Sequence, residues 1–220
     1  VLDFTLELSR LTAKEFITTV LADRLHVDTL LIGYDHRFGH DRSDGFEQYV
    51  EYGGQVGMEV RKASPYDEGN IRVSSSEIRR LLQEGKVEMA NALLTYPYQL
   101  RGRIVSGYKV GRTIGFPTAN IEVDSPYKLL PKVGVYAVWV ELLGKRYKGM
   151  LYIGKRPTLQ NGDNLTIEVN ILGFSGNAYN DEITVSFVYA VREDKTFESV
   201  EALREQLERD RQTVDKLLVE

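Results

Sequence analysis

The first half of the chain alternates between helical and strand-like patterns of apolar residues. Thr12 and Glu15 form a capping box, in which each side chain can bond the backbone N–H of the other. Apolar residues then follow at helical spacing, namely Phe16, Ile17, Val20, Leu21 and Leu25. The apolar run over 29–33 ends in glycine and is typical of a buried parallel strand. A helix over 46–52, ended by Gly53 and Gly54, and a strand over 58–62 are predicted next.

Two more helices are predicted in the segment that precedes Pro97. Ser74 and Glu77 form another predicted capping box, followed by Ile78, Leu81 and Leu82 at helical spacing, and a further helix over 89–94 stops before the proline. The order helix, strand, helix, strand, helix predicts an α/β sheet with parallel strands.

From Tyr98 the pattern changes to successive strands separated by Gly and Pro. Six strands are predicted, over 100–105, 118–121, 134–142, 145–153, 165–172 and 182–191. Such a series indicates a closed or nearly closed antiparallel barrel. A last helix over 200–218 carries one apolar stripe, formed by Val200, Leu203, Leu207, Val214 and Leu217. The change of pattern places the domain boundary near Pro97 and predicts domains over 1–97 and 98–220.

Composition narrows the classes of function. The hydrophobic fraction is 42%, the charged fraction 27% and the formal net charge −4, so no electrostatic footprint for nucleic acid is expected. Charges interrupt every apolar stretch, so no membrane-spanning segment is predicted. The absence of cysteine excludes thiolate catalysis and Cys-ligated zinc and fits a cytoplasmic location. Because the chain opens with Val1 inside an apolar alternation, without a signal peptide, we expect that an upstream piece is missing.

The segment from Gly107 to Asn120 holds the most informative chemistry. Gly107, Gly111 and Gly115 recur every four residues and would let backbone N–H groups approach a phosphate. Positive charge comes from Lys109 and Arg112, and hard oxygen ligands for Mg²⁺ come from Thr118 and Asn120. On spacing alone, a glycine-rich hairpin loop with incidental charge is the better interpretation, because such loops are common between strands.

The complete string Gly111-Arg-Thr-Ile-Gly-Phe-Pro-Thr-Ala-Asn120 resembles the ATP-binding signature of riboflavin kinases, including its Pro117-Thr118-Ala-Asn120 motif. The resemblance continues through Gly134-Val-Tyr136, Gly154-Lys-Arg-Pro-Thr158 and Thr166-Ile-Glu-Val-Asn170, over about the last 120 residues. It implies a six-stranded Greek-key barrel with a C-terminal helix. It also implies that riboflavin and ATP are substrates, FMN and ADP are products, and Mg²⁺ on Thr118 and Asn120 assists the transfer.

Glu168 lies in a predicted strand and shares a face with Thr166 and Asn170, opposite to Ile167 and Val169. From this pattern alone, the solvated face of an edge strand is the better interpretation. The family resemblance implies instead that Glu168 is the catalytic carboxylate, which accepts the proton of the riboflavin 5′-hydroxyl.

The first half resembles the FAD synthetase module of bacterial bifunctional enzymes, a nucleotidyltransferase-like (Rossmann-type) α/β domain. The resemblance is carried by Gly33-Tyr-Asp-His-Arg-Phe-Gly39 and Val73-Ser-Ser-Ser-Glu-Ile-Arg79, where Ser75, Ser76 and Arg79 could bind phosphate at a helix N-terminus. A solvated loop and simple helix capping are the plain alternatives. The module's His-x-Gly-His-type pair is absent, since His26, His36 and His40 do not form it. We therefore expect the complete protein to adenylylate FMN to FAD and this chain to act only as a kinase.

Two alternatives to a kinase remain at this point. A non-catalytic flavin-binding module would not need a base at position 168, whereas a tRNA- or nucleotide-modifying transferase built on the first half conflicts with its acidic character. The flavin ring pocket is left unassigned by the sequence. Aromatic candidates for it are Tyr108, Phe116, Tyr136, Phe174, Tyr179 and Phe197.

Overall fold

The computed structural model describes residues 2–64, 67–68, 71–107, 110–155 and 165–219. The chain divides into two compact units, Val1–Arg72 and Val73–Glu220. No helix in the described ranges is both long enough and apolar enough to cross a membrane.

The first unit contains a short parallel sheet flanked by helices. Its helices are α1 (Leu6–Ser9), α2 (Ala13–Glu15), which continues as a π-helix (Phe16–Arg24), and α3 (Phe46–Gln55). Its strands are β1 (Thr29–Ile32), β2 (Glu59–Lys62), β3 (Asp67–Glu68) and β4 (Ile71–Arg72). β1 and β2 pair in parallel, as predicted, and β3 and β4 form a small antiparallel pair.

The capping box of Thr12 and Glu15 is present, with the Thr12 N–H donating to the Glu15 carboxylate at 2.8 Å. Two details differ from the predictions. Leu25 is 44% exposed, because the π-helical winding rotates the end of the helix away from the α-helical apolar face. Helix α3 runs through Gly53 instead of ending there, since the missing Cβ lets the helix lie against Val60 of β2, where a Cβ would come within 2.5 Å.

The second unit begins with two helices, α4 (Ser75–Gln83) and α5 (Val87–Leu94). Ser74 caps α4 by accepting from the Glu77 N–H, but the predicted reciprocal bond is not made. The Glu77 carboxylate instead binds the Arg80 guanidinium at 2.6 Å. In α5, Asn91 donates to Phe187 O and accepts from Tyr98 N, so this helix is bonded to the barrel. The compact unit therefore starts upstream of Pro97, and the boundary at Pro97 stays a prediction about the two family modules.

Six antiparallel strands form a closed barrel, as predicted. They are β5 (Gln99–Val105), β6 (Ala119–Val123), β7 (Gly134–Leu142), β8 (Lys145–Lys155), β9 (Leu165–Ile171) and β10 (Glu182–Glu193). Around the barrel the order is β10, β5, β6, β9, β8, β7. Strands β7, β8 and β9 are successive neighbours in the barrel, and β6, which precedes them in the chain, lies beside β9. This is a Greek-key arrangement. A short helix, α6 (Val110–Thr113), precedes β6, and α7 (Val200–Leu217) ends the unit.

Alternate strand residues point to opposite faces of the barrel wall. The interior is filled by fully buried apolar residues, among them Leu100, Val138, Val140, Leu151, Val169 and Phe187. The outer face of β7 and β8 packs against α7 in a second cluster that includes Val135, Ala137, Trp139, Met150 and Val214. In the predicted stripe of α7, Val200 and Leu217 are exposed because they lie at the helix ends. Asp210 is buried in this face and pairs with Arg192 at 2.8 Å.

Candidate active site

Three polar residues form a row across the outer face of the barrel. Asn120 of β6 is paired in register with Glu168 of β9, and Glu168 is paired with Tyr152 of β8. The Thr118 hydroxyl donates to Glu168 Oε2 at 3.0 Å. Strand pairing fixes Asn120 and Glu168, and Thr118 directly precedes β6 and bonds Glu168, so the hydroxyl, amide and carboxylate predicted from sequence are brought together.

The segment before β6 lies tightly against this row. A Cβ at Gly107 would lie 2.0 Å from the Asn120 Nδ2 atom, so only glycine allows the backbone to pack against the Asn120 amide. The Gly107–Asn120 segment is not the plain hairpin loop that spacing alone favours, because α6 forms a helical turn within it. The turn closes with the Phe116 N–H donating to Gly111 O at 2.8 Å, and Gly115 adopts φ +86°.

Asn170 is a contributor that sequence reasoning did not identify. Its Nδ2 atom donates to Pro117 O at 2.7 Å, and its side chain is buried. Asn170 and Glu168 are both on the outer face of β9, as the alternation predicts, so the same strand supplies the carboxylate and holds the Pro117–Thr118 backbone. The sequence signals for this role are that Asn170 lies two residues from Glu168 and ends the Thr166–Asn170 stretch that resembles riboflavin kinases.

The donor set fits a hard divalent cation. Thr118 and Asn120 offer hydroxyl and amide oxygens beside the Glu168 carboxylate, and a cation bound this way would complete its shell with water and phosphate oxygens. No cluster of three or more His, Asp or Glu side chains able to hold a metal occurs within the described part of the chain. A cation at the row would therefore depend on few protein ligands, as Mg²⁺ at phosphate sites commonly does.

A pocket of about 650 Å³ opens beside Thr118. Its apolar wall comes from the barrel strands and from the segment after β9, and it includes Ile104, Ala119, Val169, Ile171, Phe174 and Tyr179. Of the aromatic candidates, Phe174 and Tyr179 thus line a cavity. Phe116 packs in the cluster under α7, and the Tyr136 hydroxyl donates to Lys132 O inside the barrel unit. Phe197 lies 5.7 Å from the Arg192 guanidinium.

Some predicted residues fall outside what the structure describes. These are Tyr108, Lys109, the Arg112 side chain and the turn beyond Lys155. The phosphate contacts of Lys109 and Arg112 and the place of Tyr108 among the flavin-pocket candidates stay predictions.

The first unit has a pocket of its own, of about 300 Å³, at the carboxyl ends of β1 and β2. Gly33, Asp35, His36 and Arg37 follow β1 and line the pocket together with Lys62 of β2. Carboxyl ends of parallel strands are the usual position of ligand sites in α/β sheets. Ser75, Ser76 and Arg79 are exposed on α4, and their binding of phosphate stays a prediction.

Comparison with known proteins settles the family. The family model for riboflavin kinase matches residues 94–218. The chain belongs to the riboflavin kinase family. The family model for FAD synthetase matches residues 1–77, in agreement with the resemblance of the first half of the chain to that module. Neither match favours the non-catalytic flavin-binding alternative.

The curated relatives are named for both activities. Bifunctional riboflavin kinase/FMN adenylyltransferases are 38% identical in Listeria monocytogenes, 36% in Pseudomonas fluorescens and 35% in Escherichia coli K12, over 96%, 92% and 96% of this chain. The chain spans 67%, 65% and 66% of their lengths. The crystal structure of a macrolide-efflux protein from Streptococcus pneumoniae matches with a TM-score of 0.86 and 32% identity, over 97% of this chain and 68% of that one.

Proposed function

We propose that the riboflavin kinase domain transfers the γ-phosphate of ATP to the riboflavin 5′-hydroxyl at the row of Asn120, Glu168 and Tyr152. The observation that carries this proposal is the 3.0 Å bond between Thr118 and Glu168. It places a carboxylate that can accept a proton directly beside the oxygen atoms that can hold a metal–phosphate group.

Thr118 and Asn120 would hold Mg²⁺ on the β6 side of the row, together with the ATP phosphates. When bound, the ion offsets negative charge on the phosphates and on the departing ADP. The backbone around Gly107, Gly111 and Gly115, with Lys109 and Arg112, would border the phosphates. Asn170 keeps Thr118 in place through its bond to Pro117 O.

The pocket beside Thr118 would take the adenine ring. It is apolar along the barrel strands and continuous with Thr118, so a nucleotide whose phosphates lie at Thr118 can place its base there. The other substrate then approaches Glu168 from the outer face.

Glu168 would act as the general base. As the riboflavin 5′-oxygen bonds to the γ-phosphorus, its proton passes to the Glu168 carboxylate, and the bond from the γ-phosphorus to the oxygen bridging to the β-phosphate breaks. ADP leaves with that electron pair. The strand pairing of β9 with β6 holds the carboxylate next to the metal ligands throughout.

The test is to incubate the chain with riboflavin, ATP and Mg²⁺ and to separate the flavins by chromatography. We expect FMN from the wild type and a loss of roughly 10²–10⁴-fold in rate for Glu168→Gln, which keeps the shape but removes the base. Glu122→Gln is the matched control, because Glu122 is an exposed carboxylate on the same face of β6. Absence of FMN from folded wild type, or full activity in Glu168→Gln, contradicts the proposal.

For the longer protein, we propose that the first unit belongs to a module that adenylylates FMN to FAD. Support comes from the FAD synthetase match over residues 1–77 and from the pocket at the carboxyl ends of β1 and β2. At the start of α4, in the second unit, Ser75, Ser76 and Arg79 would bind phosphate in their own right.

A further inference from the structure

Tyr152 is the neighbour of Glu168 on the side of the row that faces away from Asn120. Its ring lies over Gly154, where a Cβ would come within 2.3 Å of the ring atoms and the hydroxyl oxygen. Its hydroxyl donates to Asp194 Oδ1 at 3.0 Å. A partly buried aromatic ring is therefore held flat against the sheet, next to the carboxylate.

Asp194 fixes the chain segment that borders this side of the row. The same Oδ1 atom accepts from the Lys195 N–H at 2.9 Å, and residues 194–199 connect β10 to α7, which Ser199 caps. The Tyr152 ring also packs against the cluster under α7. The hydrogen bond thus ties the β10–α7 connection to the sheet one strand away from Glu168.

The geometry of phosphoryl transfer indicates which substrate lies on the Tyr152 side of the row. The attacking oxygen and the leaving oxygen lie on opposite sides of the γ-phosphorus. If the ATP phosphates lie at Thr118 and Asn120 on the β6 side, the acceptor alcohol reaches Glu168 from the β8 side. The surface that it meets there is the Tyr152 ring.

We infer that Tyr152 and Asp194 form a positioning pair for the flavin substrate. The ring supplies a surface against which the acceptor lies, and the bond to Asp194 holds both the ring and the 194–199 connection. This inference rests on the proposed function, because the proposed function assigns the ATP phosphates to the β6 side of the row.

A purely structural role for the bond is the competing explanation. Asp194 is exposed and returns to water when its bond to Tyr152 is lost, and Tyr152→Phe leaves no hydroxyl unpaired, so stability should change little. The same bond fixes the position of a ring beside the reacting group, where small displacements alter substrate binding strongly. Loss of the Tyr152–Asp194 bond should therefore weaken flavin binding and leave the free energy of unfolding nearly unchanged.

The experiment compares Tyr152→Phe with Tyr98→Phe in the full chain. Each change removes one hydroxyl and its hydrogen bond, since the Tyr98 hydroxyl donates to Leu129 O at 2.8 Å within the same unit. For Tyr152→Phe we expect the KM for riboflavin and the riboflavin Kd, measured by flavin fluorescence without ATP, to rise roughly fivefold. The KM for ATP should stay within about twofold of the wild type. Tyr98→Phe should leave all three constants unchanged.

Two further variants test the mechanism of the effect. Asp194→Ala should raise the riboflavin Kd at least as much as Tyr152→Phe does, and the double variant should be no worse than Asp194→Ala alone, because the Tyr152 bond is already absent from that variant. Gly154→Ala should weaken riboflavin binding by displacing the ring. An unchanged Kd in Tyr152→Phe, an equal rise in Tyr98→Phe, or a rise in the KM for ATP overturns the inference. The Kd is measured without turnover, so a chain that makes no FMN refutes the proposed function and leaves this comparison interpretable.

Discussion

The barrel and the parallel sheet of the first unit hold their polar residues in different ways. In the barrel, Asn120, Glu168 and Tyr152 lie within three hydrogen-bonded strands of a sheet that closes on itself. In the first unit, Asp35, His36 and Arg37 lie in the connection after β1, and β1 pairs only with β2 among the described residues.

The same contrast extends to burial. Leu31 of β1 is 67% exposed, whereas the apolar residues that fill the barrel interior, such as Val138, Leu151 and Phe187, are fully buried. In a closed sheet, every strand is hydrogen-bonded on both sides, so side chains are fixed relative to one another before substrate binds. A two-stranded sheet has hydrogen bonds on one side of each strand only and fixes its side chains less firmly. We therefore expect phosphoryl transfer from the barrel and no complete reaction from the first unit of this chain.

The largest expected difference is in FAD formation. We predict that the chain, supplied with FMN, ATP and Mg²⁺, forms no FAD. Adenylyl transfer needs groups that hold the triphosphate while FMN attacks the α-phosphorus, and each lost donor costs roughly 10²–10³-fold. The His-x-Gly-His-type motif is absent from the sequence.

The assay follows FAD and pyrophosphate, and the same preparation must convert riboflavin to FMN as its control. Substantial FAD would show that the pocket of the first unit is catalytically complete without that motif. Weak binding of ATP there would not, because a helix N-terminus alone can bind phosphate.

A smaller effect is expected on the metal requirement of the barrel site. Thr118→Val and Asn120→Ala each remove one oxygen ligand, so the Mg²⁺ concentration for half-maximal FMN formation should rise roughly tenfold. Thr184→Val is the control, since Thr184 lies on β10, which is separated from β6 by β5 and from β8 by β7. An unchanged Mg²⁺ dependence in both variants would place the metal elsewhere.

The smallest predicted effect is on stability in alkali. Burial, the bond to Asp194 and the negative charges of Asp194 and Glu168 raise the pKa of Tyr152 from 10.0 to about 12, against an opposing effect of Arg192. The folded state thus holds this proton more tightly than the unfolded state. Its contribution to stability is complete below about pH 10 and is lost as the pH rises towards 12.

Tyrosinate absorbance and the free energy of unfolding, measured between pH 9 and 12, test this prediction. Tyr152→Phe should remove part of the late absorbance and lessen the alkaline loss of stability, because the titrating group is gone. Tyr136 should continue to titrate late in that variant, since burial and Glu88 raise its pKa to about 12 as well. A variant whose late phase matches the wild type contradicts the assignment to Tyr152.

Local patterns were sufficient for most of the fold. Strand β7 lies over the predicted 134–142, and the capping box of Thr12 and Glu15 is confirmed, because alternation and capping depend on residues within a few positions. The predicted end of the helix at Gly53 was wrong, because a helix can continue through a glycine at a position where a side chain would collide with a neighbouring strand. Glu77 bonds Arg80 instead of completing its capping box, since an arginine one turn away competes for the carboxylate.

The sequence by itself determined the family, the barrel and the identity of Thr118, Asn120 and Glu168 as candidate residues, since a short motif records which chemical groups are present. Only the tertiary structure decided which of those groups meet. Thr118 and Glu168 are 50 positions apart, and Tyr152 and Asp194 are 42 apart. Such contacts depend on strand order and register, which are set by closing the whole barrel and are not encoded in any local stretch of residues.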